Sequence, residues 1–349
     1  MAIRRKRRIL PLVVLVVAAL AGCGGTPDQG PRSGGPVDER KTSNGSDGSD
    51  AIGGRMTLYT CADDRTVKAV IGGFEKRHPA VEVDLFRAPT GQLNARIAAD
   101  ERAGGTKADV IWACDPLPMH GYERRGLLRT WRPKSTENIA EEYRSDSAIG
   151  VGLLYMVIVS HEDVEQPRSW ADLTRATSRD RVAIPDPRFA ASALGTLGYF
   201  SSAADYGMRF YADLAANGAV QVSTPTDVLT GVAEGTYDVG ITLANSAYSA
   251  QEKGSPIAVV WPEPGAIAIV SPIATTRTTK NPAAAEEFVE FVASREGQTI
   301  MGETDRYPIL PDVPGPPKPE DAAVVVPDWQ EIARAGDALL EEYSKAFGT

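Results

Sequence analysis

The chain has 349 residues, 42% of them apolar and 24% charged, which is long for one hydrophobic core, so two lobes are expected. Its formal net charge is −9, and about −14 once the five basic residues ahead of Ile9, which no acid accompanies, are set aside. That acidity argues against nucleic acid as a partner, because phosphate contacts need clustered Lys and Arg.

Arg4, Arg5, Lys6, Arg7 and Arg8 lead into an apolar run over residues 9–20. The run falls short of the ~20 apolar residues that span a bilayer. A charged start, a short apolar run and small residues after it make residues 1–22 a secretory signal. The signal closes on Leu20-Ala21-Gly22-Cys23, which resembles the lipobox of bacterial lipoproteins. The resemblance implies that Cys23 is diacylated and anchors the chain to the extracytoplasmic face of the cell membrane. Beyond Cys23, residues 24–54 are rich in Gly, Ser, Asp and Pro and nearly free of apolar side chains. Such a stretch cannot bury enough surface to offset ordering, so residues 23–54 are expected to be a lipidated cysteine and a flexible tether.

The folded part then alternates. Residues 56–60 read as a strand, with Asp63 or Asp64 capping a helix that carries Val67, Val70, Ile71 and Phe74 on one face and stops at Pro79. Val81, Val83 and Leu85 alternate as a second strand, Thr90-Gly91 opens a second helix, and residues 109–112 form a third strand. A second such unit follows, with strands at 182–184, 220–222 and 237–242 and helices from Ser192, from Asp205 and from Asp227, the last capped by Thr226. Two apolar segments, 152–160 and 259–275, are placed to cross between the units. Asn281 caps a helix with Pro282 in its first turn, and a terminal helix covers 328–347. The pattern predicts an α/β protein with doubly wound, mostly parallel sheets. Lobe 1 is expected over 55–152 plus about 270–349, and lobe 2 over about 153–269. Ligands of such sheets sit beyond the carboxyl ends of the strands, where helix N-termini point. The loops singled out are therefore 61–64, 88–92, 113–115, 186–192 and 242–248.

In this order the chain carries Leu58-Tyr59-Thr60, Ala88-Pro89-Thr90-Gly91-Gln92-Leu93, Ala108-Asp109-Val110-Ile111-Trp112, Arg168-Ser169-Trp170-Ala171-Asp172-Leu173, Ile184-Pro185-Asp186-Pro187-Arg188, Trp261-Pro262-Glu263-Pro264-Gly265-Ala266 and Asn281-Pro282-Ala283-Ala284. Together these resemble the solute-binding proteins of ABC importers, in the branch with ferric-ion-, thiamine- and 2-aminoethylphosphonate-binding proteins. The resemblance covers nearly all of the folded part. It implies the two-lobed type II periplasmic-binding-protein fold, capture of a small solute in the cleft, delivery to ABC permease subunits, no cofactor and action as a monomer. In those loops and on the crossing segment, ligand contacts are expected at Cys61, Asp63, Thr90, Gly91, Asp115, Tyr155, Ser192, Thr242, Asn245 and Tyr248, with capping alone as the alternative for Thr90-Gly91 and Asp115 and packing for Tyr248. Thr90-Gly91 and Ser192 would hold an anionic end, with Asn245 and Tyr248 as further donors, and Asp63 or Asp115 would face an ammonium group. Tyr155 and Trp261 read first as hinge core, with cleft wall as the alternative.

Two departures bear on the ligand. Ferric binders carry adjacent tyrosines where this chain reads Asn245-Ser246-Ala247-Tyr248-Ser249, and the Ser-Gly-Thr expected after Asp-Pro-Arg is replaced by Phe189-Ala190-Ala191-Ser192. The first leaves ferric iron as an alternative to a phosphonate-like or other anionic or zwitterionic solute. With Cys23 lipidated, two cysteines remain in an oxidising location. In the 2-1-3 strand order expected of the family, Cys61 and Cys114 follow neighbouring strands, which implies a disulfide. Two unpaired thiols, or a thiolate pair on a soft metal, are the alternatives. No nucleophile elbow, zinc-protease, Walker or dinucleotide motif is present, so the chain is not read as an enzyme. A sensor subunit or a secreted enzyme stands as a second alternative. His78, His120 and His161 lack metal-ligand spacing and are read as surface residues.

Overall fold

A computed structural model describes residues 52–349, except 135, 136 and 138. The secretory signal, Cys23 and nearly all of the tether lie outside the described residues. The chain opens with β1 (Gly54–Thr60), α1 (Asp64–Arg77), β2 (Val81–Arg87), α2 (Thr90–Arg102), β3 (Val110–Trp112) and α3 (Pro116–Arg124). Asp63 starts α1 by accepting from Thr66 N at 2.8 Å, and Thr66, Val67, Val70 and Phe74 form its buried face. The helix stops at His78 because Pro79 disfavours helical backbone in the residue before it. β1 lies between β2 and β3, all parallel, with Tyr59 paired to Phe86 on one side and Ile111 on the other.

β4 (Ile149–His161) then leads to β5 (Val182–Pro185), α4 (Ala191–Ser202), α5 (Arg209–Ala216), β6 (Val220–Val222), α6 (Pro225–Ala233), β7 (Val239–Leu243) and α7 (Ala244–Glu252). The remainder is β8 (Ile257–Val260), β9 (Ala266–Thr275), α8 (Pro282–Ala293), α9 (Arg295–Glu303), β10 (Tyr307–Pro308), β11 (Val324–Val325) and α10 (Trp329–Phe347). The main sheet path is β2-β1-β3-β9-β4-β7-β5-β6. β4 and β9 pair antiparallel from Ile149↔Ile273 to Met156↔Ile267 and are the only strands shared by both halves of that path.

Several boundaries differ from the sequence expectation. Thr224, not Thr226, caps α6, in a reciprocal box with Asp227 that satisfies two free N–H groups at once. The stretch from Asp205 stays a turn until Arg209, because Gly207 takes φ 59°, outside the right-handed helical region. The expected 259–275 segment is two strands, β8 and β9, separated by Trp261-Pro262-Glu263-Pro264-Gly265. His78, His120 and His161 are half-buried beside Glu287, Glu123 and Asp163, at 3.3, 3.8 and 3.7 Å.

Each half packs apolar side chains on both faces of its sheet. In the first half, Phe74, Phe288 and Phe291 lie in one cluster, and Leu93, Ile97, Met119 and Tyr122 in another. In the second, Phe200, Phe210 and Tyr211 lie in one cluster, and Val228, Val232 and Ala247 in the other. The terminal helix packs against the second half. α10, assigned with the rest of 270–349 to lobe 1, buries Trp329, Ile332 and Tyr343 in the same cluster as Phe200 and Phe210. Gly195 and Gly198 on α4 permit the close approach, since a Cβ on either would meet Trp329 or Ile332 at 2.4 or 2.2 Å.

Candidate functional site

Strand register locates the cleft. β3 and β4 are both antiparallel to β9, so they run in the same sense, and β3 ends with Trp112 at the level of Ile273 and Ile149. β7 runs the opposite way along β4, from Val239↔Ser160 to Leu243↔Met156. The carboxyl ends of β1–β3 and of β5 and β7 therefore face one another across residues 150–155 of β4. The loops after those strands, and the helices they start, are the expected binding elements.

On the first-half side, Cys61 and Cys114 form a disulfide with Cα atoms 5.8 Å apart. It ties the loop after β1 to the loop after β3, consistent with neighbouring strands ~4.8 Å apart. Asp63 and Asp115 follow these cysteines as the caps of α1 and α3. Asp115 is fully buried; its Oδ1 accepts from Leu117 N at 3.0 Å, and its Oδ2 has no partner among the described residues. Burial raises its pKa to about 6, with the Leu117 hydrogen bond pulling the other way. A carboxyl whose folded pKa lies above its unfolded value costs stability as pH rises from about 4 through 6. Asp115→Asn keeps a good cap and removes the ionisable group. It is expected to stabilise the chain by roughly 2–3 kcal/mol at pH 8, with the gain vanishing near pH 4. Denaturation midpoints across pH measure this, and a gain that does not change with pH would contradict it.

Behind the disulfide lies a residue that sequence reading passed over. Arg306 is only 5% exposed, one residue before β10. Its Nη2 stands 3.5 Å from Ser271 Oγ on β9, and its Nη1 4.0 Å from Asp63 Oδ2. Ser271 in turn accepts from Trp112 Nε1 at 3.1 Å and donates to Ala113 O at 2.6 Å, so the guanidinium sits under the end of β3. Desolvation lowers its pKa, and Asp63 only partly counters this.

The neighbouring Tyr307 begins a line of aromatics that reaches the second half. Its ring lies 4.8 Å from Tyr155 on β4, Tyr155 lies 5.2 Å from Trp261, and Trp261 Nε1 donates to Tyr248 Oη at 2.9 Å. The structure thus joins Tyr155 to Tyr248 through Trp261. Tyr143, Tyr155 and Tyr307, with Arg144 and Lys318, line a cavity of about 730 Å³ beside β4. Burial raises the Tyr155 hydroxyl to about 12, so it stays protonated as a hydrogen-bonding group.

The other expected residues sit apart from this line. Gly91 is exposed and Thr90 half-buried in the first turn of α2, and Ser192 is half-buried in the first turn of α4. Thr242 is fully buried and donates its hydroxyl to Pro225 O at 2.7 Å. Asn245 lies in the first turn of α7, its Oδ1 buried without a partner among the described residues. Pro89, Ala190 and Leu243 precede α2, α4 and α7 and offer no side-chain cap, whereas α1, α3, α6, α8, α9 and α10 are each capped by a side chain. Three helices that begin at the carboxyl ends of strands therefore keep their first N–H groups uncapped. Among the described residues, no three His, Cys, Asp or Glu side chains converge as a metal-ligand group.

Two α/β halves tied by two antiparallel strands, with facing strand ends and half-free helix N-termini between them, make a type II periplasmic-binding-protein fold. A family model described as "Bacterial extracellular solute-binding protein" matches residues 57–304, and the chain belongs to that family. An uncharacterised protein of Haemophilus influenzae is 22% identical over 268 residues, covering 72% of this chain and 77% of the relative. Among solved structures, the chain is similar to the periplasmic binding protein AfuA from Actinobacillus pleuropneumoniae with fructose-6-phosphate bound (TM-score 0.73, 19% identity, 84% of this chain and 98% of that one). It is likewise similar to iron-bound HitA from Pseudomonas aeruginosa (TM-score 0.73, 19% identity, 83% and 99%). The chain is a bacterial extracellular solute-binding protein.

Proposed function

We propose that the chain captures a small solute with an anionic end outside the cell membrane and hands it to the permease subunits of an ABC importer, without chemical change. The observation that carries the charge of the solute is the set of uncapped N-termini of α2, α4 and α7 at the facing strand ends. Each presents free N–H groups and the positive end of a helix dipole, which favour an anion. Thr90, Gly91, Ser192, Asn245 and Tyr248 lie in those first turns or one turn on, and Asp63 would meet the positive end of a zwitterion. Diacylated Cys23 would hold the domain at the membrane, with residues 24–54 as the tether. The ferric alternative has less behind it, since the chain carries Tyr248 alone where ferric binders carry adjacent tyrosines.

Closure of the two lobes over the solute would turn on β4 and β9, the strands they share. Small-angle scattering on the full chain, with and without a compound that raises its melting temperature, tests this. The radius of gyration is expected to fall at saturation. An unchanged radius with a clear thermal shift would mean binding without closure, and no thermal shift across phosphonates, organophosphates, thiamine, polyamines and ferric salts would count against solute capture itself.

A further inference from the structure

We propose that Arg306 is the charge-selecting residue of the solute site. Its guanidinium takes an oxyanion group of the solute, a carboxylate or a phosphoryl, and Asp63 is its counter-charge when the site is empty. This deepens the reading of the chain as a binder of anionic solutes and rests on it.

A buried cation is costly unless it is paired and hydrogen-bonded. Arg306 has neither in full. Its Nε is buried without a partner among the described residues, and Ser271 Oγ stands at the outer limit of a hydrogen bond, 3.5 Å from Nη2. Asp63, the only carboxylate in an ion pair with it among the described residues, is 4.0 Å away and half in solvent. Asp63 is also committed elsewhere, since its Oδ1 caps Thr66 N at 2.8 Å. The fold therefore holds a planar, five-donor fork whose donors are mostly unspent, and such a fork matches the paired oxygens of a carboxylate or phosphoryl group.

Position makes this more than an internal strut. Arg306 lies under the end of β3, beside the hinge strand β9, through Ser271 and its bond to Ala113 O. The next residue, Tyr307, starts the aromatic line that passes through Tyr155 and Trp261 to Tyr248 on the opposite half. An oxyanion at Arg306 would thus meet the first-half wall beside β9, one residue from the start of the aromatic line. A purely structural arginine would be expected to spend its donors on carbonyls around it, as Arg181 does on Thr236 O and Gly235 O at 2.8 Å each.

The test compares the full chain with Arg306→Met and Arg306→Lys, by thermal shift and calorimetric titration. The probes are inorganic phosphate, methylphosphonate, citrate and acetate, with putrescine as the cationic control. The wild type is expected to be stabilised by at least one oxyanion. Arg306→Met should melt, without solute, at or above the wild-type temperature and lose that stabilisation. Arg306→Lys should fold normally and bind at least tenfold more weakly, since an ammonium keeps the charge but not the fork. Oxyanion affinity within twofold of wild type in either variant overturns the assignment, and the Lys variant decides it if the Met variant does not fold. A wild type stabilised by putrescine and by no oxyanion overturns the assignment while leaving solute capture intact; one stabilised by none of these probes removes support from both.

Discussion

Replacing Cys61 and Cys114 together by serine is expected to lower the unfolding free energy by about 4 kcal/mol, from the entropy the cross-link removes from the unfolded chain. The bond spans a sequence separation of 53 and joins the ends of two adjacent parallel strands, so the folded backbone already holds the two Cα atoms 5.8 Å apart. Guanidinium denaturation of the wild type, oxidised and after full reduction with dithiothreitol, beside the double variant, measures the effect. Reduced wild type and double variant should unfold at similar midpoints, both below the oxidised protein. Coincident midpoints for all three would show that the cross-link contributes nothing. The loops it joins carry Asp63 and Asp115, so its loss should also loosen the first-half wall of the cleft. Faster amide exchange at residues 61–64 and 113–116 would report that.

Trp329→Ala is expected to cost about 3 kcal/mol, at the low end of the range for removing a buried aromatic. The low end applies because the Trp329 indole N–H is buried without a partner among the described residues, and its removal also relieves that cost. Trp329 sets its ring over Gly195, one turn before Ile332 covers Gly198, so the side chains of α10 rest directly on the backbone of α4. Gly198→Val should destabilise by a further, independent route: its side chain would overlap Ile332, an overpacking cost of about 1–3 kcal/mol. Hydrogen exchange tells where the damage falls. Both substitutions should speed exchange in α4, α5 and α10 and spare α1, α8 and α9. Equal loosening of both halves would mean that α10 does not belong energetically to the second.

The lobe assignment of α10 shows why some of the fold was not legible. The sequence announces a terminal helix over 328–347, and α10 is present there, with Asp328 as its cap. Nothing in that stretch says which partner the helix meets. The answer lies in two glycines more than 120 residues earlier, whose missing Cβ atoms leave the groove that Trp329 and Ile332 fill. The strands were more readable, because a crossing strand buried on both faces shows as an unbroken apolar run, as residues 149–159 do.

The binding loops were legible as positions and much less so as roles. Any loop after a parallel strand faces the cleft, and that rule alone singled out residues 61–64, 88–92, 113–115, 186–192 and 242–248. Whether a side chain there is free to bind depends on its partners. Thr242 spends its hydroxyl on Pro225 O, contributed by α6, and this cannot be read from spacing.

By itself, the sequence determined the alternation of elements, the helix caps Asp63 and Asn281, the 2-1-3 strand order through family resemblance, and the family. These rest on local chemistry and on order along the chain: the apolar period, the Asp or Asn before a helix, and motifs in a set succession. Only the tertiary structure decided that Arg306 is buried beneath the end of β3, that Tyr155 reaches Tyr248 through Trp261, and that α10 closes the second half. Each of these joins residues far apart in sequence. The cost of a buried charge, or the fit of a ring against a glycine, arises from what surrounds the residue in space, and that is settled when the two halves of the sheet pack around β4 and β9.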